Sequence, residues 1–472
     1  MQPINRRTLL QGMAVLALPG CASQQMQTSQ EKKRQIDYAW RQAEQIAKQT
    51  PKPTFPNKQF DIRDFGAQAN SPVSSSEAIN KAIQACHSAG GGKVLVTAGS
   101  YQSGPIHLLS NVNLHITANA RIRFSTSPKH YLPAVFTRWE GVEFMGYSPL
   151  IYAYKQHNIA ITGEGTLDGQ ADASHWWSWK GGKKWGVEGH PTQAEGRAKL
   201  FADAEAGVPP EQRHYSEGFY FRPPFIQPYR CTNVLIEGVK VIRSPFWLLN
   251  PVLCENVHIR QVHLESLGPN SDGCDPESCK NVVIDNCYFD TGDDCIAIKS
   301  GRNNDGRRVA TPSENIVIRN CKMRAGHGGV VIGSEISGGV RNVFAENNEM
   351  SSPDLERGIR IKTNSVRGGL LENIYIRQCR IGEVQDAIVI NFHYEEGDAG
   401  EFDPIVRNVV IENLECAHAK RAFQVRGFKR APIEQMTVLN THFVKADDPG
   451  IIENVAGLKL EGVFMNGVAF NL

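Results

Sequence analysis

Asn281-Val-Val-Ile-Asp-Asn-Cys-Tyr-Phe-Asp-Thr-Gly-Asp-Asp-Cys-Ile-Ala-Ile-Lys-Ser-Gly301 decides the fold of this chain: it is one unit of a repeat, and its turn carries two adjacent carboxylates, Asp293 and Asp294. Its frame, Asn-x-Val-Ile-x-Asn-Cys-x4-Gly, returns at Asn315. Twelve residues after the leading Asn stands Asp293 in one copy and His327 in the other, and in a third copy, from Asn373, Asp386 falls where Asp294 does. If each copy is one coil of a stack, equivalent positions line up in space and polar residues remote in sequence become neighbours.

A shorter form of the frame, Asn-[Val/Ile]-x-apolar, recurs at Asn111, Asn158, Asn233, Asn256, Asn281, Asn315, Asn342, Asn373 and Asn408, and from Asn233 on the steps are 23, 25, 34, 27, 31 and 35 residues. A loose period of that size, with one β-branched run per unit and Gly, Asn or Pro between runs, means a solenoid built of strands. Alternating apolar residues exclude helical repeats, and the leucine spacing of leucine-rich repeats is missing. The predicted class is therefore all-β, a single-stranded right-handed parallel β-helix, with inward and outward residues alternating on coils about 4.8 Å apart. Cys295-Ile-Ala-Ile-Lys299 and Gly358-Ile-Arg-Ile-Lys362 align as equivalent strands whose Ile residues point inward, which puts Lys299, Arg360 and Lys362 on one outer face. Cys287, Cys321 and Cys379 share one slot of the repeat and read as a buried column of free thiols, whereas Cys274 and Cys279 are the pair most open to oxidation.

Composition bounds the partners. The chain has 472 residues, 41 % apolar, with 51 basic against 49 acidic side chains. That balance excludes a wholesale nucleic-acid or membrane-surface binder, so an anionic partner must be gripped locally. Residues 1–21 read as an export signal: Arg6-Arg7 is a twin-arginine pattern, and Leu18-Pro-Gly-Cys21 resembles a bacterial lipobox that would attach the chain to a membrane of the cell envelope through lipid on Cys21. Residues 22–58 are a polar tether with one amphipathic helix, marked by Ile36, Ala39, Trp40, Ala43, Ile46 and Ala47. Residues 59–472 form the β-helix; Ser74-x-x-Glu77 opens a helix, ending at Gly90-Gly91-Gly92, that caps the open end of the stack. An insertion at about 170–222 interrupts the period and carries Trp176, Trp177, Trp179 and Trp185, either packed on the solenoid wall or closing one end of a groove. Cys-x-x-Cys and His/Cys zinc spacings are absent from the sequence, so neither metal nor cofactor is expected.

Four polar clusters fall on successive coils: Asn270-Ser-Asp-Gly-Cys-Asp275, Gly292-Asp-Asp294, Gly326-His-Gly328 and Arg360-Ile-Lys362. Singly, each is ordinary turn or strand chemistry. The steps from Asp272 to Asp294, on to His327 and on to Arg360 are 22, 33 and 33 residues, each one repeat, so the clusters converge on one outer patch. Gathered carboxylates cannot all ionise, which suits an acid and a base acting on a glycosidic bond, and a separation of about 6.5–9.5 Å would admit an attacking water and invert the anomeric centre. A cationic pair beside them implies an acidic sugar.

Asn270-Ser-Asp272, Gly292-Asp-Asp-Cys295, Gly326-His-Gly328 and Arg360-Ile-Lys362 resemble, in order, the four signature motifs of the polygalacturonase family, glycoside hydrolase family 28. The likeness runs from about Asp61 to the C-terminus and implies a pectin-lyase-like solenoid acting on a pectic oligo- or polysaccharide. By that resemblance Asp293 is the general acid, Asp272 and Asp294 hold and activate water, and His327 supports the acid. Arg360 and Lys362 bind galacturonate carboxylate, with Asn270, Asp275, Lys299 and Tyr394 as further substrate contacts. Ser271 stands where the family commonly has Thr, and Asn250-Pro251 where bacterial relatives often have His-Pro. An exo-acting galacturonidase is the leading expectation. A rhamnogalacturonan-directed hydrolase, a calcium-dependent lyase of the same fold and a non-catalytic carbohydrate-binding β-helix are the competitors.

Overall fold

The computed structural model describes residues 19–471, and the twin-arginine reading, with the side chain of Cys21, lies outside what is described. The chain divides after Gln45 into a helical unit and a body. The helix α1 (Pro19–Gln49) begins well before the stripe that predicts it, and Ile36, Ala39, Trp40 and Ala43 are buried while Tyr38 is exposed. No described helix is long and apolar enough to cross a membrane.

The body is a right-handed parallel β-helix. Each coil contributes one strand to a 14-stranded sheet and one to a 16-stranded sheet, and strands follow one another across each sheet almost entirely in sequence order. A third face runs through Ile106–His107, Ile151–Tyr154 and Ile226–Tyr229 and continues as single bridges from Ile226 to Leu249, Cys274 and Ile296. From there it widens into the strands Ile296–Ile298, Val330–Ile332 and Arg357–Lys362.

The interior is built of apolar columns. Ile159, Val234, Val257, Val282, Ile316, Val343, Ile374 and Val409 stack in register, as do Ile161, Ile236, Ile259, Ile284, Ile318, Ala345, Ile376 and Ile411. Each fully buried side chain of this kind stabilises by about 1.5–3 kcal/mol, and a slip of one residue would turn the whole column outward. Two charge ladders on the outer surface of the same sheet oppose such a slip. Glu237, Arg260, Asp285, Arg319, Glu346, Arg377 and Glu412 alternate in sign up one column, and Glu255, Lys280, Glu314, Arg341, Glu372, Arg407 and Glu434 up another.

The repeat asparagines explain the turns. All nine have φ between 49° and 66°, a left-handed conformation that Asn tolerates better than other side-chain-bearing residues. Each Nδ2 from Asn158 to Asn408 donates to the Oδ1 of the Asn one coil earlier at 2.8–3.2 Å.

The helix α2 (Ser76–Ser88) buries Ala78, Ile79, Ala82, Ile83 and Cys86 over the first coil. It starts later than the capping box implies: Ser75 is the N-cap, and Ser74 accepts only from the amide of Ser76, at 3.3 Å. The predicted thiol column is present, with Cys287, Cys321 and Cys379 buried in equivalent slots. The expected oxidation of Cys274 and Cys279 is corrected, since all ten cysteines from Cys86 to Cys416 are free. Cys274 belongs to the inward column of Leu249 and Ile296, while Cys279 follows Cys231 and Cys254 in another, so the two cannot meet.

Candidate active site

Bridges from Leu249 to Cys274 and Ile296, then to Val330, Ile359 and Ile388, fix which residues share the column two places earlier. That column reads Trp247, Asp272, Asp294, Gly328, Arg357, Asp386. Asp272 and Asp294 are therefore stacked on adjacent coils, and Asp293 turns beside them: one oxygen from each of the three lies within 4.8 Å of the others. Their nearest oxygens come together because neighbouring coils hold equivalent side chains one inter-strand distance apart.

Gly328 leaves the next place in the column empty. Through that gap Lys362 Nζ reaches Asp294 Oδ2 at 2.6 Å and Arg360 Nη1 reaches Oδ1 at 3.3 Å. Asp294 is fully buried and both cations nearly so. Asp293 Oδ1 accepts from the amide of Asp294 at 3.0 Å and lies 2.9 Å from His327 Nδ1, whose Nε2 faces Glu356 at 3.8 Å. Asp386, in the same column, is paired with Arg421 and Arg357 and stands apart from the cluster.

Lys299 reaches Asp272 from the coil that carries Asp294. Its Nζ is 3.1 Å from Glu335, 3.6 Å from Asp275 and 3.8 Å from Asp272, and sits 4.6 Å over the ring of Trp247. Lys299 and Asp275 are both buried, so neither presents a free group to the trough. Asn270 is half-buried and accepts from Arg222 Nη2 at 2.8 Å. Tyr394, from a later coil, is brought in: Arg360 Cζ and Lys362 Nζ lie 5.4 and 5.3 Å from its ring centre. The structure thus gathers Asp272, Asp293, Asp294, His327, Arg360, Lys362 and Tyr394, and sets Asp275 and Lys299 behind them.

Asp293 and Asp272 are driven in opposite directions by their surroundings. Burial pushes Asp293 up, but the hydrogen bond and charge of His327 outweigh it and hold the carboxyl well below its ordinary value. The same hydrogen bond raises His327 to about 9. In the free site the shared proton is on the imidazole. Asp272 goes the other way, pushed well up by burial and then by the charges of Asp275 and Asp293.

Three carboxylate oxygens so close could in principle hold a cation. Their lone pairs, however, already face Lys362, Arg360, His327 and Lys299, so a divalent ion would meet three or four positive charges as well as its ligands.

Sequence reasoning missed Trp247, Arg222, Arg302, Glu335 and Glu356. Arg222 is buried, donates to the carbonyls of Pro245 and Pro269 and lies 5.1 Å over Phe246, so it braces the turn carrying Asn270. Arg302 Nη1 is 3.4 Å from Glu335 and 3.8 Å from Glu140. Trp247 stands in the column of Asp272 and Glu356 in that of His327, and only the Phe246-Trp247 dipeptide beside Asn250 offered a signal.

The family model for glycosyl hydrolases family 28 matches residues 213–459, just over half the chain. A crystal structure of a hyperthermoactive exopolygalacturonase from Thermotoga maritima is 44 % identical with a TM-score of 0.88, covering 92 % of this chain and 97 % of that one. Among sequences, a probable polygalacturonase from Vitis vinifera is 26 % identical over 80 % of this chain and 72 % of its own. An exo-poly-alpha-D-galacturonosidase from Dickeya chrysanthemi is 26 % identical over 75 % of this chain and 62 % of its own. With its four motifs gathered at one trough on a parallel β-helix, the chain belongs to glycoside hydrolase family 28, the polygalacturonase family.

Proposed function

We propose that this glycoside hydrolase removes terminal galacturonate from α-1,4-linked oligogalacturonides with inversion. The observation that carries the reading is the stack of Asp272 and Asp294, with Asp293 beside it and Arg360 and Lys362 entering through the gap at Gly328. Oxygens within 4.8 Å of one another are close enough for one water to hydrogen-bond to two of them at ordinary lengths of about 2.8 Å. Asp272 and Asp294 thus hold an attacking water, and Asp293 delivers the proton to the leaving oxygen. A galacturonate carboxylate beside Arg360 and Lys362 adds negative charge next to Asp293, which favours moving the proton of His327 onto it. The acid is completed when substrate is bound.

Exo action is supported by a string of contacts from the insertion to the trough. The helix Ala194–Glu205 presents Arg197 to Glu140 at 2.7 Å, and Arg197 and Arg302 both lie against Phe201, at 4.5 and 4.3 Å. Arg302 then meets Glu335, Glu335 meets Lys299, and Lys299 meets Asp272. A wall in contact with the reacting carboxylates favours a substrate that ends there over one that runs through. The tryptophans pack this wall: Trp176 is buried, and Trp177 Nε1 donates to Ser244 O at 2.9 Å.

The deciding experiment is hydrolysis of tri- and polygalacturonate with anomeric configuration followed by NMR. Monogalacturonate released from the start with inversion is expected; a mixed ladder of oligomers sinks the exo mode, and retention sinks the carboxylate roles. Export and lipid attachment at Cys21 rest on residues 1–21; fatty-acid labelling that persists in Cys21→Ser would rule the anchor out.

A further inference from the structure

We propose that Asp275 is a positioning residue for this reaction, a buried carboxylate that strengthens Asp272 as a base from behind and never meets the sugar. The proposal rests on reading Asp272 as a water-activating carboxylate.

Asp275 is fully buried, and among the described residues its oxygens find no donor beyond the carboxyl of Asp272 itself, against which they lie, and the ammonium of Lys299. Such a group weakens a fold, because desolvation of the carboxylate is not repaid by partners. Suitable donors stand close by and are spent elsewhere. Asn250 Nδ2 donates to the backbone carbonyl of Asp275 at 3.0 Å, and Gln227 Nε2 donates to Asn250 Oδ1 at 2.8 Å. The stacked amides hold the main chain of Asp275 and leave its side chain bare. The nearby cation, Lys299, is 3.6 Å away and divided between Asp275, Asp272 and Glu335.

A carboxylate kept at full burial against a reacting carboxyl, with no donor of its own, is an arrangement by which enzymes tune that group. The charges facing the pair are Asp293, Asp294 and Lys299 from the next coil, Glu335 from the loop after Val330–Ile332, and Arg222 at longer range. Negative charge predominates. After burial itself, Asp275 is the largest influence raising the proton affinity of Asp272. A more basic Asp272 draws the proton from the attacking water more strongly.

The test is Asp275→Asn, which keeps shape and removes charge, with kcat, KM and thermal midpoint measured on oligogalacturonate across pH. The acid limb of kcat should move down by about one pH unit, and the plateau should fall about three- to tenfold as the base weakens. KM should stay within about twofold, and the midpoint should hold or rise, since an unpartnered buried charge is gone. An unmoved acid limb overturns the proposal, whether kcat falls evenly at all pH, as a structural role requires, or KM rises, as a substrate contact requires. The unmodified enzyme gives a second reading that needs no variant: its acid limb must lie above the ordinary aspartate value of about 3.9, and a limb at or below it also overturns the proposal. No hydrolysis by the unmodified enzyme would refute the functional reading itself, a result distinct from either.

Discussion

His327 offers the sharpest test of the site, because its titration reports the contact that sets up the acid. Its Nδ1 lies 2.9 Å from Asp293, which raises the imidazole from 6.5 to about 9. A shift of about 2.5 units corresponds to about 3 kcal/mol of differential interaction, but the side chain is 46 % exposed and solvent screens the pair, so about 1 kcal/mol of stability is the realistic share. The raised imidazole stabilises the fold fully below about pH 6.5, and that contribution is lost as pH climbs through about 9. The depressed Asp293 carboxyl acts oppositely: its contribution is present above its ordinary value of 3.8 and lost as pH falls through its folded value. The charged pair therefore spans the range between. Imidazole nitrogens of ¹⁵N-histidine protein, assigned by the signal missing in His327→Gln, should show one ring titrating near 9 and dropping toward 6.5 in Asp293→Asn. Activity should fall along the same basic limb, and His327→Gln should lower kcat by about 10² or more. A His327 that titrates near 6.5 in the unmodified protein, or ignores Asp293→Asn, refutes the shared proton.

Lys362→Met removes the 2.6 Å partner of a buried Asp294 while Arg360 stays, so the cost should sit at the low end for a broken buried pair, about 3 kcal/mol by denaturant unfolding. KM for trigalacturonate should rise about 10- to 100-fold, and an unchanged KM would remove Lys362 from substrate binding. Gly328→Ala would place a Cβ 2.5 Å from Val331 Cγ2 and 3.1 Å from Asp294 Oδ1, which should destabilise by about 1–3 kcal/mol and lower kcat by about 10². Wild-type kcat in that variant would show that the gap is not needed. Asn281→Ala breaks two ladder bonds and leaves Ala at φ 56°, together about 3 kcal/mol, of which Asn281→Gly should recover the backbone part. A loss below about 1 kcal/mol would mean the asparagines mark the turns without holding them.

Much of this was legible because a β-helix writes its geometry into spacing. The Asn frame could be read since one residue type meets two demands at each turn, a left-handed backbone and a side chain that bonds to its own kind one coil away. Asp272, Asp294 and His327 could be placed together because each lies one repeat from the next. Spacing says nothing of residues outside the repeat, so Arg302, Glu335 and Glu140, which join the insertion to Lys299, went unseen. It also misjudged Cys274 and Cys279, five residues apart in sequence yet in different columns. The low proton affinity of Asp293 in the free site went unseen because a count of carboxylates cannot weigh burial against the charge and hydrogen bond of His327.

The residue hardest to value from sequence is the one with no side chain. In the column of Asp272 and Asp294 the next place is Gly328, and in the column of Lys299 and Lys362 the place between them is Gly333. A Cβ at Gly333 would lie 2.1 Å from Lys362 O, and one at Gly328 would crowd Asp294. Charges carried on strands about 4.8 Å apart would otherwise each face whatever stands directly above or below. Emptying two places on the intervening coil lets Arg360 and Lys362 cross two coils to a carboxylate they could not otherwise touch, and so the site depends on where the stack is hollow as much as on where it is charged.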